Sequence, residues 1–125
     1  MMDIEEAKQI LSDNFNPDKE NSFTYIMYEK SRFPKEQFWQ VYESIECLVQ
    51  NKVFSRELAE QVTYCYERFL KEIIYHLDGG GIHILRDLPE NFYAYIERFD
   101  DIKLRFYRGS CELSDESSFE LERYG

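Results

Sequence analysis

Between Ser55 and Asp78 the residues Leu58, Val62, Cys65, Phe69, Ile73 and Leu77 recur at steps of three and four. That period buries one face of a helix, and it fits neither a strand nor a loop. Ser55 offers a side-chain oxygen to the unpaired N–H groups of the first turn. Asp78 and the run Gly79-Gly80-Gly81 end the element, since glycine accepts the left-handed conformation common past a helix terminus. Tyr66, Leu70 and Ile74 widen the stripe, which predicts a central helix covered on more than one side.

Its partners can be read on either side. Asp3, with Glu6 three residues on, opens a helix carrying Ile4, Ala7, Leu11 and Phe15, and Pro17 stops it. Ser22 caps a short segment with Phe23, Ile26 and Met27 on one face; a strand over 23–26 is the alternative. Pro34 suits the first residue of a third helix, striped by Phe38, Val41, Tyr42, Ile45, Leu48 and Val49. Pro89 starts the last helix, with Phe92, Ile96, Phe99 and Phe106 on one side and Gly109 as its stop. Ile82-His83-Ile84-Leu85 reads as a strand, and the alternation Phe119-Glu120-Leu121-Glu122 as its partner. The expected fold is therefore mainly α: one domain over 1–125, a compact bundle of four to five helices, with a small β element pairing about 82–85 with 118–122.

Ten Tyr, ten Phe and one Trp give a dense core and rigid contact surface, while the formal charge is -10. Such a charge disfavours nucleic acid and anionic membranes and favours a basic protein partner. The acidic excess concentrates at the two ends of the chain, which form one negative face if they lie near each other; the alternative is that they serve only solubility. The opening Met1-Met2-Asp3-Ile4-Glu5-Glu6 lacks a secretory leader, and no apolar stretch approaches the ~20 residues of a membrane span. Three cysteines, Cys47, Cys65 and Cys111, fit reduced thiols in a cytoplasm.

Motifs for chemistry are sparse. The triple glycine lacks the Lys-Ser/Thr of a phosphate loop, and it is explained as a helix stop. His76 and His83 form no metal-ligand spacing with the cysteines, so neither metal nor cofactor is expected; His76 suits the negative end of its helix. Glu112 and Asp115 near Cys111 would raise its thiol pKa, against a nucleophilic role. The pairs Asp100-Asp101 and Asp115-Glu116 could serve as acid and base, stand as solvated charges, or meet a partner's cations. The basic residues Arg98, Lys103, Arg105 and Arg108 are neutralised nearby by Glu97, Asp100 and Asp101, which equips the chain poorly for phosphate contacts.

Several stretches together resemble the immunity 41 family of bacterial polymorphic-toxin and contact-dependent inhibition systems. They are Phe38-Trp39-Gln40, Ser55-Arg56-Glu57-Leu58, Tyr95-Ile96-Glu97-Arg98-Phe99 with Phe106, Tyr107 and Gly109, and the polar turn Leu113-Ser114-Asp115-Glu116-Ser117. The resemblance runs from about residue 20 to 121, and the triple glycine departs from the polar loop expected there. It implies a protein that protects its own cell by binding and neutralising a cognate toxin domain, with no catalysis of its own.

Many such toxins are nucleases, basic because their substrate is a polyanion, and an acidic inhibitor competes for the same surface. Asp100, Asp101, Asp115 and Glu116 are the candidate partner-binding acids, and Tyr93 and Trp39 the candidate aromatic anchors. Both aromatics have a second reading as part of a buried face. Two other classes stay open: a small acidic interaction or regulatory domain with an unrelated partner, and an enzyme built on a carboxylate-lined pocket.

Overall fold

The helix boundaries follow local chemistry closely. In the computed structural model, which describes residues 2–78, 84–109 and 116–125, five helices form: α1 (Ile4–Phe15), α2 (Phe23–Glu29), α3 (Lys35–Gln50), α4 (Arg56–Leu77) and α5 (Phe92–Arg108). Asp3, Ser22 and Ser55 each cap the following helix by accepting the N–H three residues on, from Glu6 (2.8 Å), Tyr25 (3.1 Å) and Leu58 (3.1 Å). Gly109 ends α5 at φ 67°, the left-handed region that a side chain disfavours.

Two starts move. Pro34 sits one residue outside α3, in the cap position at ψ 79°. α5 begins at Phe92 instead of Pro89, because a turn comes first: Phe92 N–H donates to Pro89 O and Ala94 N–H to Asn91 O. Residues 23–26 are helical, which settles the short segment in favour of its helix reading.

α1 and α5 each pack against both α3 and α4, while α2 closes one side on α4, α1 and α3. Phe38 of α3 is the hub of the core. Its ring lies between 5.0 and 6.5 Å, centroid to centroid, from Phe23, Phe33, Trp39, Phe69, Tyr95 and Phe99, so every helix but α1 contributes a ring to it or touches it. Edge-on arrangements dominate, as the ring quadrupoles favour. The stripe of α4 is buried from Leu58 to Ile73, but Ile74 and Leu77 are 59 % and 58 % exposed. The helix is therefore covered over most of its length and bare at its C-terminal end, which its broad stripe did not foretell.

No strand forms among the described residues. Ile82 and His83 lie outside them, and Leu85 is buried beside an isolated parallel bridge between Arg32 and Arg86. Residues 116–118 make one 3-10 turn and 119–122 run irregularly, so the expected pairing of 118–122 is replaced. The alternation there has a different cause: Leu121 is buried, and its carbonyl is held by an arginine of α5. His76 lies in the last turn of α4 as expected, and its Nδ1 also accepts the Leu85 N–H at 3.0 Å, tying the chain beyond α4 back to that helix.

Candidate partner-binding surface

The first use of the acidic candidates is internal. Arg98 of α5 is wholly buried. Its Nη1 and Nη2 donate to Glu116 Oε2 and Oε1 at 2.8 and 3.0 Å, its Nε and Nη2 to Leu121 O at 3.1 and 2.7 Å, and Nη1 also to the Tyr42 hydroxyl at 3.2 Å. The guanidinium lies 4.1 Å from the Phe119 ring centroid. Arg123 repeats the device, donating to both carboxylate oxygens of Glu46 at 2.8 Å and to Glu116 at 3.2 Å. Residues 116–125 thus form a strap bound to α3 and α5 by two forked arginines, the geometry for which guanidinium is suited. The Arg98 hydrogen bonds draw the Glu116 pKa down to about 2, against the opposing effect of burial and with Arg123 adding to the shift.

The remaining candidates scatter. Asp101 is bound to Arg105 at 2.9 Å, and Asp100 faces Lys103 at 3.7 Å and the Tyr66 hydroxyl at 3.4 Å. Asp115 falls outside the described residues. Tyr93 is exposed, and a hydrogen bond with Glu120 raises its hydroxyl pKa. Trp39 is corrected: at 3 % exposure, between Phe38, Tyr42, Tyr95 and Tyr124, it belongs to the second buried face of α3 and cannot anchor a partner. The structure unites only Glu116 with Trp39, through Arg98, whose guanidinium is 5.5 Å from the indole.

A different surface collects exposed rings. α1 and α4 run side by side in the same direction, with Ser12 and Gln61 lining one hollow and Phe15 and Tyr64 in contact three residues further along each helix. Phe15 and Tyr64 are 4.6 Å apart, and both are over a third exposed. Beyond them a second hollow of about 350 Å³ is lined by Phe15, Pro17, Tyr25, Tyr28, Tyr64 and Arg68. Tyr28 is 59 % exposed and stacks under the Arg68 guanidinium at 5.3 Å. Arg68 in turn reaches the buried Glu72 at 3.3 Å. The floor is rigid, because Asn14 accepts the Thr24 N–H through Oδ1 while its backbone carbonyl accepts the Thr24 hydroxyl.

The first hollow, about 370 Å³, lies toward the N-termini of the same two helices and includes Glu5, Lys8, Ser12, Phe54, Glu57 and Gln61. Gln61 is only 7 % exposed, and its Oε1 accepts no hydrogen bond among the described residues. An orphaned buried acceptor costs about 1–3 kcal/mol. Phe54, Tyr64, Phe15 and Tyr28 therefore mark one seam. The sequence signal for it was the set of aromatics left over once the apolar stripes were assigned; Tyr28, Phe54 and Tyr64 belong to none of them.

The chain matches no family model, no curated protein and no solved structure. Among the described residues, no group of three or more His, Cys, Asp or Glu side chains could hold a metal ion, and no helix is long and apolar enough to cross a membrane.

Proposed function

We propose that this protein is an immunity-type inhibitor, which binds a basic bacterial toxin domain in the cytoplasm and covers its working surface without catalysis. One observation carries the reading: four part-exposed aromatic rings along a single helix seam, on a chain of net charge -10. Tyr and Trp are enriched among the few residues that dominate binding energy at protein interfaces, and they order at low entropic cost. Long-range attraction from the acidic body speeds encounter with a cationic partner. Glu57, Glu60, Gln61, Tyr64 and Arg68 recur at helical steps on one side of α4, so two acids precede the Tyr64 ring on that side. The resemblance to the immunity 41 family supports the same class of partner, and Cys47 and Cys65, free and buried among the described residues, suit a reducing compartment.

The test is co-expression with the toxin domain encoded beside this protein's own gene. Restored growth and a one-to-one complex are expected, and the Tyr28→Ala/Tyr64→Ala double variant should bind about 30-fold more weakly, the loss of one hot spot. A folded chain that neither rescues growth nor binds would overturn the proposal.

A further inference from the structure

The loop after α2 aims two backbone donors outward. Lys30, the C-cap of α2, is right-handed helical (φ -97°, ψ -7°), and Ser31 follows it at a left-handed φ of 51°. A right-handed residue followed by a left-handed one turns successive N–H groups toward one point, a nest of the kind that cradles anions. Arg86 pins this loop from one side. Its Nη2 donates to the Lys30 carbonyl at 2.9 Å and its backbone N–H to the Ser31 carbonyl at 2.8 Å, while its own carbonyl accepts the Phe33 N–H at 2.8 Å. In a planar trans peptide the N–H points opposite to the C=O. The Ser31 and Arg32 N–H groups therefore turn away from Arg86, and among the described residues neither donates to an acceptor.

We propose that this nest binds a phosphate group, free or as a monoester, with the Ser31 and Arg32 N–H groups donating to its oxygens and the Lys30 and Arg32 side chains balancing its charge. Lys30 is exposed and Arg32 half-buried, and among the described residues neither forms an ion pair. Two cations on either side of Ser31, both left without an acid, stand out on a chain of net charge -10. Arg86 is a positioning residue: by holding the two carbonyls it aims the two donors. A phosphate brings three terminal oxygens and nearly two charges at neutral pH, so it answers two cations and two donors better than a carboxylate does.

Three features oppose an anion here, and each is outweighed. Glu29 precedes Lys30, but it is one carboxylate against two cations. A helix C-terminus carries partial negative charge, but α2 has only seven residues, and the Arg86 guanidinium already serves the Lys30 carbonyl at that end. The overall charge repels a polyanion such as nucleic acid. A single phosphate meets chiefly the local field, because exposed charges more than about 8–10 Å away are screened in physiological salt.

The test is an NMR titration of the isotope-labelled full chain at neutral pH and constant ionic strength, with inorganic phosphate, methyl phosphate and acetate as probes. Expected are saturable shifts of the Ser31 and Arg32 backbone amides with both phosphates, and much weaker ones with acetate. The tighter of the two phosphates identifies the source, free ion or monoester. Lys30→Gln and Arg32→Gln should each weaken phosphate about tenfold without lowering the melting temperature, since neither side chain has a partner among the described residues. Ser31→Gly keeps both the left-handed turn and the N–H, and should bind as the wild type does. No saturable shift, an equal response to acetate, undiminished binding in the Lys30→Gln/Arg32→Gln double variant, or loss of binding in Ser31→Gly would overturn the proposal. The site does not depend on the reading of the α1–α4 seam, and the titration needs no toxin.

Discussion

Arg98 and Glu116 meet through two parallel hydrogen bonds of 2.8 and 3.0 Å, the arginine wholly buried and the carboxylate half in solvent. Among the described residues, Glu116→Ala leaves that buried cation with the Leu121 carbonyl and the Tyr42 hydroxyl as its hydrogen-bond acceptors, and with no carboxylate to balance it. Breaking a fully buried pair costs about 3–5 kcal/mol, and solvent at Glu116 reduces this to about 2 kcal/mol. A lower urea midpoint, with faster proteolysis confined to residues 116–125, is the expected outcome. An unchanged midpoint would show that the pair does not hold the strap.

The same pair sets a pH dependence. The Glu116 carboxyl falls from 4.5 to about 2 in the folded protein, chiefly through the Arg98 hydrogen bonds. The folded state therefore binds this proton less readily than the unfolded chain. Its contribution is complete above about pH 4.5, declines as pH falls and is gone once pH has passed below about 2. Unfolding curves of the wild type and Glu116→Gln should be furthest apart at pH 7 and converge on acidification; a gap that stays constant to pH 2 would refute the assignment.

The two kinds of aromatic residue should separate in a stability screen. Phe38 has no exposed surface and touches six rings, so Phe38→Ala should cost about 3–5 kcal/mol. Tyr28 is mostly exposed, so Tyr28→Ala should change stability by less than about 0.5 kcal/mol. Thermal melts decide. A large loss at Tyr28 would make it part of the scaffold and remove it from the docking face.

Cys65 is sealed in the core, where burial pushes its thiol up to about 12. At pH 8 only about one molecule in ten thousand carries the reactive thiolate, and no path to it is open. Iodoacetamide followed by peptide mass mapping should leave Cys65 unmodified in the native protein and modified in urea. Rapid native labelling would contradict the packing of α4.

What could be read from the residues was what neighbours in sequence decide. Asp3, Ser22 and Ser55 begin helices because a cap acts within three residues. Pro89 misled because a turn can precede a cap, here Asn91. Long-range choices left no such mark. Arg98, in a stretch rich in opposite charge, looked neutralised by Glu97, Asp100 and Asp101, yet its partner is Glu116, eighteen residues on. Trp39 is absent from its helix's main stripe, and it is buried because Tyr95 of α5 and Tyr124 of the strap both pack against it. The aromatic seam needed the side-by-side packing of α1 and α4, which lie more than forty residues apart along the chain.

The chain has a single tryptophan, and the fold has placed Trp39 beneath the strap, 5.6 Å from Tyr124 and 5.5 Å from the Arg98 guanidinium. The molecule thereby contains its own optical gauge. Lifting of residues 119–125 wets the indole and moves its emission to longer wavelengths, whereas a ligand arriving among Phe54, Tyr64 and Tyr28 leaves the colour unchanged. Fluorescence can thus separate loosening of the frame from occupation of the seam without any added label.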